Sequence, residues 1–148
     1  MIDVTFSVDT SRLDRMMSDI PGALARAQER ALQDIGAAVA SRATRAFRSE
    51  PLRPSPWAPR KDRKAKHPLL IKSGALRQSI NWKLEGDDTV VIGSDKKYAQ
   101  YHQHGTKKMP ARPFFPVDKN GRLVPEMERK INRTVEKVFT DELKKIGG

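Results

Sequence analysis

Residues 80–93 of this 148-residue chain read INWKLEGDDTVVIG, and this stretch decides the architecture. Apolar Ile80, Trp82 and Leu84 alternate with polar residues, and a turn of one glycine and two aspartates leads into a β-branched run that ends at Ile92. Alternation with a period of two is typical of a strand with one buried face, and a glycine-containing turn between two such runs predicts a β-hairpin. We therefore expect two antiparallel strands at the centre of the fold.

The segments on the N-terminal side of this hairpin predict a third strand and a long helix. Residues 2–8 alternate as the hairpin strands do, and a short helix capped by residues 9–11 is expected to follow. Pro21 suits the first turn of a helix, and an apolar stripe rich in alanine continues from there to about Phe47. A helix of roughly 27 residues spans about 40 Å, so we expect one end to project beyond the core or to meet another subunit.

Shorter elements follow the hairpin and precede a C-terminal helix. Residues 98–104 predict two helical turns that end at a glycine, and residues 111–117 predict an edge strand or an extended segment. Pro125 opens the last helix, whose apolar stripe meets a charged residue at Glu142, where Leu143 is the alternative. Together these elements predict an α+β fold, with a small, mostly antiparallel sheet packed against the long helix and the C-terminal helix.

The composition limits the class of protein. The chain has 29 Lys and Arg against 18 Asp and Glu, a formal net charge of +11. This excess favours an acidic partner, such as nucleic acid or an acidic protein, or else serves solubility alone. The chain has no cysteine, which excludes disulfides and thiol catalysis, and we read in it neither a membrane-spanning run nor a signal peptide. We expect a single domain over residues 1–148 without membrane contact.

A long basic, proline-rich loop at residues 50–68 interrupts the regular elements. The stretch from 49 to 68 holds five of the ten prolines, and its cations outnumber its acids. Prolines and repelling charges predict an extended, flexible loop, in which Trp57 either anchors the loop to the domain or is buried against a partner. Contact with DNA or an acidic partner is expected from the following cationic and aromatic residues: Arg53, Trp57, Arg60, Lys61, Arg63, Lys64 and Lys66. A nucleic-acid-binding protein that uses residues 53–66 is therefore one alternative function.

No residue pattern predicts catalysis. His102 and His104 are two positions apart, and their rings diverge in a helical or turn segment, so we expect neither a metal site nor a cofactor. No serine or threonine lies in a nucleophile turn, and the stretch after Gly93 lacks the pattern of a phosphate loop. We expect a protein that is not an enzyme, and a small hydrolase using His102 or His104 is a third alternative.

Five stretches of sequence together resemble the centre of a known family. They are, in order, WAP at 57–59 with LIKSGALRQSI at 70–80, VIGS at 91–94, YAQYHQHGT at 98–106 and MPARPFF at 109–115. This order is similar to the phage virion morphogenesis family, which comprises tail-completion proteins, with neck and minor tail proteins of long-tailed phages as wider relatives. The similarity covers residues 57–117 closely, and the helices on both sides agree in kind.

The resemblance implies a structural role late in virion assembly. That role is tail completion or head–tail joining in a tailed phage or prophage, by surface complementarity and with no bond made or broken. The resemblance also implies a homo-oligomer, in the form of a ring, that contacts tail or neck proteins and through which DNA could pass. The expected location is the tail or neck of the virion, and the host cytoplasm during assembly.

An assembly contact is expected within the last two of these motifs. The guanidinium of Arg112 suits a carboxylate or a pair of carbonyls, and Phe114 and Phe115 point to opposite faces if the segment is extended. We therefore expect these three residues at or beside a subunit contact. Tyr98 and His102 are expected to support the same region, with the histidine satisfied by hydrogen bonds. The alternative is that both phenylalanines belong to the core.

Overall fold

The computed structural model describes residues 2–7, 21–62, 64–71 and 73–147, and for residues 2–7 it describes the backbone. Within these ranges there are three strands and four helices, with a 3-10 turn at Glu50–Leu52: β1 Ile2–Ser7, α1 Pro21–Ala46, α2 Ala75–Gln78, β2 Ile80–Glu85, β3 Thr89–Ser94, α3 Ala99–His104 and α4 Pro125–Gly147. The short helix predicted after residues 9–11 lies outside the described residues.

The strands form one antiparallel sheet in the order β1-β3-β2. Ile92 of the central strand pairs with Val4 on one side and with Trp82 on the other. The side chains of Val90 and Ile92 are fully buried, as expected for β-branched residues at the centre of a sheet that a helix covers. The predicted α+β class, the hairpin and the small antiparallel sheet are confirmed.

Helix α1 lies directly against the sheet because small residues line its buried side. A Cβ atom at Gly36 would lie 2.7 Å from the ring of Trp82, so only glycine allows this close approach. Ala23 near the start and Ala46 at the end are both buried. Of the two alternatives expected for this helix, projection beyond the core is contradicted, since both ends are buried, and contact with another subunit stays a prediction.

Helix α4 packs against α1 and buries a charged residue. Ala27 and Ala31 of α1 meet Val138 and Phe139 of α4 in a second apolar cluster. Glu142 follows on the same buried face and is only 6% exposed. The charged position in the predicted stripe thus belongs to the buried face of α4.

Glu142 is accommodated because cations surround its carboxylate. Arg30 approaches it at 3.7 Å, Arg26 at 3.9 Å and Lys145 at 3.1 Å. A buried carboxylate without such partners would strongly destabilise the fold. Leu143, the alternative residue for the stripe, is 40% exposed instead.

The helices of the described ranges do not include one that is both long enough and apolar enough to cross a bilayer.

Candidate assembly surface

Phe114 and Phe115, predicted at a subunit contact, lie in the core. Neither has any exposed surface, their ring centroids are 4.8 Å apart, and Phe114 also packs at 5.0 Å against Phe47. Neither ring can meet a neighbour in this conformation, so the contact assigned to them is corrected, and the alternative of two core residues is the one supported. The two rings do not point to opposite faces, since their centroids are close, and the chain turns directly after them, where the Val117 N–H donates to the Phe115 carbonyl at 2.8 Å.

The segment before these phenylalanines is held by a side chain and not by a strand. Gln103 of α3 is buried, and its Oε1 accepts hydrogen bonds from the backbone N–H groups of Phe114 at 3.0 Å and Phe115 at 3.1 Å. A buried segment without a ladder needs such an acceptor. Sequence reasoning missed this role, although the spacing of Gln103 from buried Ala99 places both on one helical face.

Arg112 binds two carbonyls of its own chain. Its Nε donates to the Ala58 carbonyl at 2.9 Å and its Nη2 to the Pro59 carbonyl at 3.0 Å. Its backbone N–H donates to the His102 carbonyl at 2.6 Å, which fixes the segment against α3. Of the two kinds of partner expected for this guanidinium, a carboxylate or a pair of carbonyls, the structure shows the second, and these donors hold the proline-rich loop in place.

Trp57 anchors the loop from the other side. Its indole Nε1 donates to the Pro113 carbonyl at 2.7 Å, and its ring meets Phe47 edge-on at 5.9 Å between centroids. The guanidinium of Arg53 lies 3.7 Å above the same ring. Of the two roles expected for Trp57, anchoring the loop to the domain is the one that these contacts support.

Arg53 also closes the end of α1. Its Nε donates to the Ala46 carbonyl at 2.7 Å and its Nη2 to the Phe47 carbonyl at 3.1 Å. The last carbonyls of a helix lack intrahelical partners, so a cation there satisfies them and complements the helix dipole. Arg53 and Trp57, both predicted to contact DNA or an acidic partner, are thus engaged within the chain.

The second half of the loop bonds mainly to itself. Arg60 donates through Nη1 to the Ala65 carbonyl at 3.3 Å and through Nη2 to the His67 carbonyl. This guanidinium closes residues 60–67 into a small loop. Lys61, Lys64 and Lys66 are exposed on it, and Arg63, the remaining residue of the predicted set, lies outside the described residues.

His102 has a buried ring nitrogen. Its Nδ1 has no hydrogen-bond partner among the described residues, so the expected hydrogen bonding is not seen at this nitrogen. Burial lowers the pKa of His102 below its ordinary value of 6.5, and the nearby charge of Arg112 lowers it further. The ring packs edge-on against Tyr98 at 6.0 Å. In the described part of the chain, no three His, Asp or Glu side chains converge as metal ligands would.

Tyr98 and Tyr101 are exposed on the outer side of α3. They are 42% and 46% exposed, and together with Leu143 they are the large apolar residues that the described surface presents most openly. Four lysines flank the tyrosines in sequence, on both sides of the helix: Lys96, Lys97, Lys107 and Lys108. We call Lys97, Tyr98, Tyr101, Lys107 and Lys108 the tyrosine face. Of the predicted contact residues, Tyr98 is the most exposed one.

Comparison with known proteins adds the following. The model of the phage virion morphogenesis family matches residues 8–138. The Mu-like prophage FluMu G protein 1 of Haemophilus influenzae is 44% identical over 48 residues, which cover 32% of this chain and 32% of that protein. The chain thus matches about a third of the length of this curated relative. No solved structure matches the chain at a significant level.

Proposed function

This chain belongs to the phage virion morphogenesis family, and from that premise we propose that it completes the phage tail and joins it to the head. Membership in the family makes it a virion-associated structural protein of a phage or prophage. The finer assignment, to tail completion at the head-proximal end of the tail or the neck, is the proposal. The protein then works in the host cytoplasm during assembly and remains in the virion.

The observation that supports this role best is how the motif residues are used. Gln103, Arg112 and Trp57 bond to backbone groups and fix the loop and the segment before Phe114 against α3. Side chains that make such hydrogen bonds hold the backbone rigidly and are not available to act on a substrate. What this support presents outward is the tyrosine face, and tyrosine is enriched where proteins contact each other.

The proposed partners follow from this surface. The chain forms a homo-oligomer, in the form of a ring, and contacts tail or neck proteins. Its action is assembly by surface complementarity, without catalysis, metal or cofactor. Purified protein is then expected to carry no stoichiometric zinc or manganese. A bound metal that is lost on replacing His102 and His104 together by glutamine would contradict this part of the proposal.

Nucleic-acid binding through residues 53–66 is the second candidate. Exposed Lys61, Lys64 and Lys66 favour it, because lysines contact phosphates without sequence preference. The engagement of Arg53 and Trp57 within the chain weighs against it, since they would have to leave these bonds to reach a phosphate or a base. A steep fall of DNA affinity with salt would support this candidate.

A deletion of the gene tests the proposed role directly. Cells that carry a phage or prophage without the gene are expected to accumulate separate heads and tails, visible by electron microscopy of the lysate. The wild-type chain supplied in trans should restore joined particles, and the purified protein should form a ring. Joined, infectious particles in the absence of the gene would overturn the proposal.

A further inference from the structure

We propose that the tyrosine face of one copy binds the tip of the β2–β3 hairpin of the next copy, head to tail. The inference rests on the proposed oligomer and adds to it the two surfaces that make the contact. The hairpin tip is residues 85–88. It presents Asp87 and Asp88, both exposed, and Glu85, which is also exposed and lies 3.5 Å from the ammonium of Lys83 on β2.

The two surfaces carry opposite charge. Residues 96–108 hold four lysines and no acid, whereas residues 85–88 hold three acids and no base. A chain with a net charge of +11 repels its own copies unless its acids lie at the contact. The hairpin tip is a compact acidic segment that meets this requirement.

The fold places these surfaces at opposite ends of one strand. The tip immediately precedes β3, and the tyrosine face begins a few residues after β3 ends. Six residues of β-strand separate them by about 17 Å, so the two surfaces do not meet within one copy. Complementary surfaces at opposite ends of a rigid body give a heterologous contact, which closes into a ring or continues as a filament.

Both surfaces are held in shape before any contact forms. At the tip, Gln28 of α1 donates to the Asp87 carbonyl and Thr89 donates to the Asp88 carboxylate at 2.9 Å. The turn with Lys107 and Lys108 is closed by two backbone hydrogen bonds between Thr106 and Met109, at 2.9 and 3.3 Å. Preformed surfaces lose little conformational entropy on binding.

The residue types of the tyrosine face favour a protein partner over DNA. Tyr98 and Tyr101 are three positions apart, so both lie on one side of α3. Two exposed tyrosines that lysines flank in sequence combine apolar area with positive charge, and tyrosine is enriched in protein interfaces. The hairpin tip of a second copy supplies the acidic surface that these lysines require.

Charge reversal tests the contact. One variant carries Lys97→Glu, Lys107→Glu and Lys108→Glu, and another carries Asp87→Lys and Asp88→Lys. Each should weaken self-association of the full-length chain in sedimentation velocity by about tenfold or more, since like charges then face each other. The matched control carries Lys130→Glu, Arg133→Glu and Lys137→Glu on the exposed side of α4, which changes the net charge as much as the lysine variant does. The control should assemble as the wild type does.

Mixing the two reversed variants makes the sharpest test. One copy then has two acidic surfaces and the other two basic ones, so alternating copies should assemble beyond a dimer although neither variant assembles alone. Combining both sets of substitutions in one chain should also restore assembly. If a reversed variant is misfolded by circular dichroism, Tyr101→Ser tests the same face with a smaller change and should weaken association as well.

Each other outcome overturns a defined part of the argument. Reversed variants that assemble as the wild type does overturn the contact while leaving the proposed function intact. Reversed variants that assemble normally but no longer complement the gene deletion overturn the second copy as occupant and assign the face to another phage protein. A wild-type chain that stays monomeric overturns both the proposed oligomer and this contact.

Discussion

The two halves of the proline-rich loop differ in composition and in structural role. Residues 50–59 hold four prolines and one cation, whereas residues 60–67 hold five lysines and arginines and no proline. In residues 50–59, Arg53 and Trp57 bond to carbonyls of the core, and the carbonyls of Ala58 and Pro59 receive the guanidinium of Arg112. In residues 60–67, the bonds of Arg60 run to other residues of the loop. The first half therefore packs against the core and bonds to it, and the second half extends from the first as a small closed loop.

The two halves differ in structural role because arginine and lysine are used differently in the loop. The described arginines of this loop, Arg53 and Arg60, each bond two carbonyl oxygens, while Lys61, Lys64 and Lys66 are exposed. A guanidinium offers several N–H donors in a fixed plane and can bridge two carbonyls, whereas an ammonium is a more strongly hydrated point charge. Counting both residue types as one positive run hides this division.

The largest expected effect comes from the core beneath the anchored half. Phe114→Ala or Phe115→Ala should each destabilise the protein by roughly 3–5 kcal/mol, because each removes a fully buried ring. Thermal or urea unfolding measures this loss. Tyr101→Ala is the matched control, since it removes an aromatic ring that is nearly half exposed and should cost far less. A folded, stable Phe114→Ala protein that fails only in assembly would return this ring to a subunit contact.

A somewhat smaller effect is expected from the acceptor that holds the same segment. Gln103→Met keeps the approximate shape and leaves the N–H groups of Phe114 and Phe115 without their acceptor. Two unsatisfied buried donors should cost roughly 2–4 kcal/mol. His104→Met, at the exposed neighbouring position, is the control and should be close to neutral in urea unfolding. Equal stability of the two variants would mean that water replaces the Gln103 oxygen.

The sequence predicts the regular elements well because their signals are local. The alternation around Trp82, the alanine stripe of α1 and the proline at the start of α4 each act within one segment, and all three elements form where expected. Periodicity predicts Glu142 on the buried face of α4, with Leu143 as the alternative, and Glu142 is the residue that is buried. The pattern within α4 does not explain why a carboxylate is tolerated on the buried face, because the arginines that neutralise it, Arg26 and Arg30, belong to α1.

The candidate site is harder to predict because its bonds are long-range. Trp57 and Pro113 are 56 residues apart, and Arg112 and Ala58 are 54 apart. The sequence of neither segment predicts that its hydrogen-bond partner lies in the other. The adjacent phenylalanines show the same limit, since an extended backbone would separate their rings, whereas both are buried in a segment that Gln103, from another element, holds by its side chain.

Removing the hydrogen bond of the Trp57 indole should lower the free energy of unfolding by about 1 kcal/mol and loosen only the first half of the loop. Trp57→Phe keeps an aromatic ring beside Phe47 but leaves the Pro113 carbonyl without its donor. Hydrogen exchange should then rise across residues 50–59. Lys61→Ala is the control and should leave both stability and exchange unchanged, because that side chain is exposed.

The flexibility predicted for residues 50–68 is resolved by the same exchange measurement. In the wild type, the amides of residues 60–67 should exchange faster than those of residues 50–59, since the backbone N–H of Lys64 donates to a carboxylate that is itself exposed, that of Asp62. Uniformly fast exchange across both halves would mean that the anchors around Trp57 do not persist in solution. Uniformly slow exchange would mean that residues 60–67 are held as firmly as residues 50–59, so the two halves would not differ.

The smallest expected effect is a pH dependence at the junction of α3 and the anchored half. Burial, and after it the charge of Arg112, lowers the pKa of His102 in the folded protein below 6.5. Between the folded and the unfolded pKa, the unfolded chain therefore binds more protons than the folded chain. Stability must then rise with pH in this window and be lost as the pH falls from about 6.5 toward the lowered folded value.

The buried Nδ1 of His102 gives this effect a structural location. A proton there has no acceptor among the described residues and lies near the guanidinium that clamps Ala58 and Pro59. The urea midpoint of the wild type should fall between pH 7.5 and pH 5.5 by more than that of His102→Gln, which cannot titrate at this position. His104→Gln is the matched control, because it removes the exposed histidine of α3 and should retain the wild-type pH dependence. If His102→Gln and the wild type lose stability in parallel, the acid sensitivity arises elsewhere and the junction does not depend on a neutral His102.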